Sequence, residues 1–186
     1  MIVGVTGLPC SGGGSFAQLL LSKGFEQLSY SDILRAELRA AGKEVTRETM
    51  QEQGNAIRSE FGPGELSRRL LAKIDLKKNY VLTTIRNPAE IEVLRQTGVF
   101  VLVHVDAPRD VRYQRMTSRA RENDPVTHEM FIALDSKELG LGQPTHGLRI
   151  GDCITLADYT LMNDGSLEDF ENKVEAFVQE LGVNNF

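Results

Sequence analysis

Ile2-Val3-Gly4-Val5-Thr6-Gly7-Leu8-Pro9-Cys10-Ser11-Gly12-Gly13-Gly14-Ser15-Phe16-Ala17-Gln18-Leu19-Leu20 is the stretch that decides the fold. Ile2–Thr6 is a short apolar run bounded by glycine, the pattern of a buried strand. Phe16 begins an amphipathic helical pattern. Strand, glycine-rich turn and helix N-terminus together aim backbone N–H groups and the positive helix end at a phosphate. The general pattern for such a loop is G-x-x-x-x-G-K-[ST]. Gly7 and Gly12 hold its two glycine places, but Gly13 stands where the lysine belongs. The loop therefore predicts a phosphate site more firmly than it predicts efficient phosphoryl transfer.

Outward from this loop, apolar runs alternate with helical ones. Strands are predicted at Phe25–Ser29, Tyr80–Ile85, Val99–Val105 and Tyr159–Met162. The run Val99-Phe100-Val101-Leu102-Val103-His104-Val105 is continuous and largely β-branched, as in a parallel sheet covered on both faces. Helices are predicted at Asp32–Ala41 after a cap at Ser31, and at Thr46–Phe61 and Glu65–Ile74 around the break Gly62-Pro63-Gly64. Others are Ala89–Gln96 after Asn87-Pro88, Arg109–Arg121 after Pro108, and Leu167–Leu181 after the cap Ser166. Gly140–Gly151 reads as a polar, glycine-rich connection. Alternation of this kind implies βα units: an α/β, three-layer P-loop fold with a parallel five-stranded sheet, helices on both faces and a small helical lid. Ligands of such sheets bind at the carboxyl ends of the strands, where Gly7–Ser15 falls.

The 186 residues suit a single domain, and a chain of this size buries roughly 70% of its unfolded surface. The net charge of −5 argues against a nucleic-acid partner, which usually meets a basic face. No stretch approaches the ~20 apolar residues of a membrane span, so the expectation is a cytoplasmic protein, monomer or homodimer. Cys10 and Cys153 form no metal-ligand spacing, and nothing asks for a disulfide between them. His104 reads as a structural residue of its strand, and His128 and His146 carry no metal-like spacing.

The segment Gly7-Leu8-Pro9-Cys10-Ser11-Gly12-Gly13-Gly14-Ser15 resembles the phosphate loop of adenylate kinases and related nucleoside monophosphate kinases. Cys10 departs from the glycine that the family has there, and Gly13 from its lysine. The resemblance implies that Gly7, Pro9, Cys10, Ser11, Gly12, Gly13, Gly14 and Ser15 cradle the phosphates of ATP, with Ser15 also the hydroxyl ligand of Mg2+. Tyr30-Ser31-Asp32-Ile33-Leu34-Arg35 resembles the acceptor segment of those kinases; by it Arg35 grips the acceptor phosphate and Asp32 orders the site or meets the acceptor hydroxyl. Thr83-Thr84-Ile85-Arg86-Asn87-Pro88 resembles the stretch that supplies a second phosphate arginine, here Arg86. The acidic residue that orders magnesium in the family is replaced at Thr83 or Thr84. Arg112, Arg115 and Arg119 recur at helical spacing ahead of Arg121 and Glu122-Asn123-Asp124-Pro125, and Arg115 and Arg119 are the pair expected to cover the transferring phosphoryl. Ala157-Asp158-Tyr159-Thr160-Leu161-Met162-Asn163-Asp164-Gly165-Ser166-Leu167-Glu168 resembles the ending of dephospho-CoA kinases and of archaeal adenylate-kinase-related proteins, with Asn163 and Gly165 bordering the adenine.

Each segment also has a plain structural reading. Asp32 in a first helical turn suits the helix dipole, Arg35 and the Arg112–Arg121 run suit a solvated face, and Asp164-Gly165-Ser166 suits a turn and cap. Five segments in the right order over nearly the whole chain favour the kinase-like reading. It carries an acceptor-binding segment near 31–75, a lid near 115–152, ATP and Mg2+ as cofactors, and a small nucleotide as substrate. Asp32, Arg86, Arg115 and Arg119 are the catalytic candidates. The missing loop lysine and strand-end acid keep a second reading open, a catalytically weak nucleotide-binding or regulatory protein. A third, a structural partner that has lost nucleotide binding, fits the retained arginines less well.

Overall fold

A computed structural model of the chain describes residues 1–119, 127–140 and 143–182. Five strands run β1 Ile2–Thr6, β2 Glu26–Ser29, β3 Tyr80–Thr83, β4 Phe100–Asp106 and β5 Tyr159–Met162. They form one sheet in the order β2-β3-β1-β4-β5, every pair parallel. The helices are α1 Gly13–Leu21, α2 Tyr30–Ala40, α3 Arg47–Phe61, α4 Glu65–Leu71 and α5 Pro88–Arg95. After β4 come α6 Arg109–Arg119, α7 His128–Leu139, α8 Ile150–Thr155 and α9 Leu167–Glu180.

Side-chain alternation along the strands splits the core into two layers. Val3 and Val5 of β1, with Val103 and Val105 of β4, meet Phe16 and Leu20 of α1 and Phe170, Val174 and Phe177 of α9. Ile2 and Leu102 point the other way, toward Ile33 of α2, Leu66 and Leu70 of α4, Ile91 and Leu94 of α5 and Cys153 of α8. Two covered faces explain why the central strands read as unbroken apolar runs. The expected three-layer α/β fold is what the chain adopts.

Several boundaries differ from the sequence reading, each for a local reason. The first helix begins at Gly13, not Phe16, so the last two glycines of the cradle are its first turn. The second begins at Tyr30, because the Ser29 side chain, not that of Ser31, caps it by accepting from the Ser31 N–H. No loop separates it from β2. The third strand ends at Thr83, because Thr84 turns the chain with φ of 69°. The fourth strand is displaced by one residue, to Phe100–Asp106, and α4 stops at Leu71. The cap read at Ser166 and the Asn87-Pro88 start are in place, while Thr46, read as the first helical residue, is instead the cap of a helix that begins at Arg47; all three N-termini have reciprocal side-chain hydrogen bonds. Helices α7 and α8 were not anticipated, and the latter takes over the end of the presumed Gly140–Gly151 connection. Arg121 and Glu122–Pro125, counted above toward the lid, lie outside the described residues. Among the described residues no helix is long and apolar enough to cross a membrane.

Candidate functional site

The loop between β1 and α1 owes its shape to two glycines that cannot be replaced in place. A Cβ on Gly7 would run into the Val105 carbonyl oxygen of β4. A Cβ on Gly12, whose φ is 115°, would run into the Asn163 side chain just beyond β5. Cys10 adopts φ of 64°, the left-handed conformation in which glycine is at ease and a side chain is strained. That is a physical reason for the glycine which related loops carry here. Gly13 is different: its φ is not positive, and an added Cβ meets only Val5 Cγ1, at 3.3 Å.

The loop is held from its carbonyl side. Asn163 Nδ2 donates to the Ser11 carbonyl at 3.0 Å. Arg115, from α6, donates through Nη2 to the Asn163 carbonyl at 3.0 Å and to Asn163 Oδ1 at 3.1 Å. Its Nη1 reaches the Cys10 and Ser11 carbonyls at 3.4 Å. The N–H groups of the first turn of α1 have no intrahelical partner, and they remain for a ligand.

A cavity of about 1040 Å³ opens at the carboxyl ends of β1 and β3. The whole loop Gly7–Ser15 lines it, as do Asn163 and Gly165. Six arginines also line it: Arg35, Arg47, Arg58, Arg86, Arg115 and Arg119. Among its described lining residues there is no lysine and a single carboxylate, Glu138. Lys23, the nearest lysine in sequence to the loop, is paired with Glu175 at 3.3 Å. No group of three or more His, Cys, Asp or Glu that could hold a metal ion occurs among the described residues.

The arginines differ in what already holds them. Arg58 and Glu90 form a buried pair at 2.9 Å, 4% and 0% exposed. Glu90 also accepts the N–H groups of Arg86 and Asn87 at 3.0 and 3.2 Å. It therefore fixes the turn that carries Arg86 into the cavity. Thr84, a β-branched residue in the left-handed region, sits in the same turn, and strain of this sort gathers at functional sites. Arg35, on α2, is half-buried and paired with Asp32 at 2.7 Å.

Asp32 itself is turned to solvent and is absent from the cavity wall; among the candidates it meets only its helix neighbour Arg35. Arg112 also leaves the group. It is buried and grips Asp135 of α7 bidentately at 2.7 and 2.6 Å, while Arg115 and Arg119 from the same helix reach the cavity. Among the charged lining residues, Arg47, Arg58 and Glu138 escaped the sequence reading. Arg47 lies at the first position of α3 and Glu138 on α7; Arg47 Nη2 donates to Glu138 Oε1 at 2.6 Å. Arg86 Nη1 stands 3.1 Å from Glu138 Oε2.

A glycine cradle between β1 and α1, a five-stranded parallel sheet with β3 and β4 flanking β1, and an arginine-walled cavity define a P-loop protein of the kinase-like type. Residues 6–131 match a family model described as an AAA domain, and the chain belongs to that family. Among curated proteins it belongs with the UPF0200 proteins. The relative from Sulfurisphaera tokodaii is 33% identical over 180 residues, covering 97% of each chain. That from Thermococcus gammatolerans is 34% identical over 195 residues, covering 99% of this chain and 98% of the relative. Among solved structures, TT1252 from Thermus thermophilus superposes with a TM-score of 0.60 at 24% identity, covering 97% of both chains. Shikimate kinase from Acinetobacter baumannii superposes with a TM-score of 0.58 at 16% identity, covering 96% of this chain and 93% of the other. At these identities the structural likeness is one of fold.

Proposed function

We propose that the protein binds Mg-ATP in the Gly7–Ser15 cradle and transfers its γ-phosphoryl group to a small nucleotide acceptor. That acceptor is a nucleoside monophosphate, a deoxynucleotide or dephospho-CoA. The observation that carries this reading is the single cavity whose wall joins the cradle to Arg35, Arg86, Arg115 and Arg119. Its volume lies at the upper end of the ~300–1,000 Å³ usual for small-molecule sites, as two substrates side by side require. The transferring phosphoryl spreads its charge over equatorial oxygens, so catalysis is mostly positioning and charge stabilisation. Arg35 and Arg86 hold the acceptor phosphate, and Arg115 and Arg119 act on the donor side. Ser15 is the protein hydroxyl available to the magnesium ion. Thr83 and Thr84 at the strand end supply oxygen without charge, so the ion depends chiefly on the phosphates.

The absence of lysine from the described cavity wall favours a second reading, nucleotide binding with little turnover. Loss of one preorganised donor typically costs about 10²–10³ in rate. Titration calorimetry of ATP with and without magnesium tests the common part of both readings. Micromolar, magnesium-dependent binding supports them, and absence of binding in both the protein and Gly13→Lys overturns them. A turnover assay with each acceptor then separates the first reading from the second.

A further inference from the structure

Glu138 is the one carboxylate among six arginines on the described cavity wall, and it is 2% exposed. A surface acid would be unremarkable here, but a buried one sets what the cavity accepts. Its Oε1 receives Arg47 Nη2 at 2.6 Å. The same Oε1 accepts Arg86 Nη1 at 3.4 Å, and that guanidinium is ion-paired with Oε2 at 3.1 Å, yet the buried Oε2 accepts no hydrogen bond among the described residues. Buried carboxylate oxygens are ordinarily satisfied, so an unsatisfied one on the wall of a ligand cavity marks a place for a donor. The neighbouring acids are already saturated: Glu90 by Arg58 and two backbone N–H groups, Asp135 by Arg112. Glu138 is not.

Arg47 and Arg86 alone would make a pocket for a doubly charged phosphate. Glu138 offsets one of those charges and opposes any second anion brought against it. A ligand that suits all three residues places an anion on Arg86 and a hydrogen-bond donor on Glu138. A nucleotide carries its sugar hydroxyls much closer to its phosphate than it carries the edge of its base. Resting on the acceptor role of Arg86 proposed above, we infer that Glu138 receives a ribosyl hydroxyl of the acceptor. The residue would thereby select acceptors that carry the sugar hydroxyls over their 2′,3′-dideoxy counterparts. Glu138 is a specificity residue in this inference and takes no part in bond making.

The test titrates the full chain, with Mg-ADP present, with adenosine monophosphate, its 2′,3′-dideoxy analogue and inosine monophosphate. Mg-ADP is titrated alone first. The expected result is at least tenfold weaker binding of the dideoxy analogue, a contact to a charged acceptor being worth more than a neutral one. Inosine monophosphate should bind within about threefold of adenosine monophosphate, since on this reading the base does not touch Glu138. In Glu138→Gln the preference for the hydroxylated ligand should fall to about twofold or less, with the dideoxy analogue bound more tightly than by the unaltered protein. Equal binding of the two sugars by the unaltered protein overturns the inference without any variant having to fold. So does discrimination that follows the exocyclic amine instead, or that survives intact in a folded Glu138→Gln. Normal Mg-ADP binding with no binding of adenosine monophosphate also overturns it and leaves the donor site standing. No Mg-ADP binding overturns the proposed function with it.

Discussion

Asn163 Nδ2 and the Ser11 carbonyl oxygen, 152 residues apart in the chain, meet at 3.0 Å and tie the end of β5 to the phosphate loop. The side chain making this bond fills the space a Cβ on Gly12 would need. Asn163 is thus both the mould and the clasp of the loop. Its replacement by alanine removes the Nδ2 bond to the Ser11 carbonyl and the Oδ1 acceptor of Arg115, leaving Ser11 only the longer Arg115 contact, a loss of about 1–3 kcal/mol. The expected outcome is a lower urea midpoint together with ADP binding weakened about tenfold; unchanged ADP affinity would separate the clasp from the site.

Gly12→Ala should be worse. The added methyl meets Asn163, and alanine in a left-handed conformation costs about 1–2 kcal/mol before any contact is counted. Loss of ADP binding with the circular dichroism of the sheet and helices retained is the expected pattern. Gly14→Ala is the control, since nothing lies within 4 Å of its added Cβ.

Gly13→Lys should be tolerated, because the backbone there suits an L side chain and only Val5 Cγ1 comes near. A lysine at this point of the loop reaches the β- and γ-phosphates. Tighter ATP binding and a faster turnover with any accepted acceptor are expected. A lower melting temperature with no gain in affinity would mean that another cation already does the work.

Arg112 and Asp135 are a buried bidentate pair joining α6 to α7. Cutting one partner strands a buried charge, which costs about 3–5 kcal/mol. Arg112→Ala should therefore lower stability strongly in urea unfolding. Arg35→Ala, at a half-buried residue whose ion pair is with the exposed Asp32, should change stability little and weaken acceptor binding.

Burial pushes the His104 imidazole below its ordinary 6.5, against a smaller upward pull from Asp106. Its Nε2 is buried and has no hydrogen-bond partner among the described residues. The unfolded chain then binds the proton more readily than the fold does. The stabilisation from a neutral His104 is complete above 6.5 and is lost as pH falls from there toward the depressed value. Unfolding free energies between about pH 8 and about pH 5 should show this decline, and His104→Gln should flatten it.

The fold was legible because its signals are local. A strand, a glycine turn and a helix start follow one another within twenty residues, and the cap at Ser166 sits beside the N–H group it satisfies. The site was legible where residue type was distinctive, as in Gly7–Ser15 and Asn163. It was not legible at Arg47 and Glu138, which are 91 residues apart and look like ordinary charges of two solvated helices. Only the packing of α7 across the cavity makes Glu138 a buried acid. Nor does spacing alone sort Arg112 from Arg115; the difference is that Asp135 waits for one of them. Asp32 is the opposite case, a residue well placed in sequence whose side chain the helix turns outward, onto Arg35.

Arg115 and Asn163 close the carbonyl side of the phosphate loop, which gives the loop a polarity. Whatever approaches from the cavity meets hydrogen-bond donors, while the oxygens that could attract a bare cation are spent inside the protein. A loop wired in this way offers its donors to anions and gives a bare cation little to hold. A divalent ion would therefore enter only in the company of the phosphates it serves.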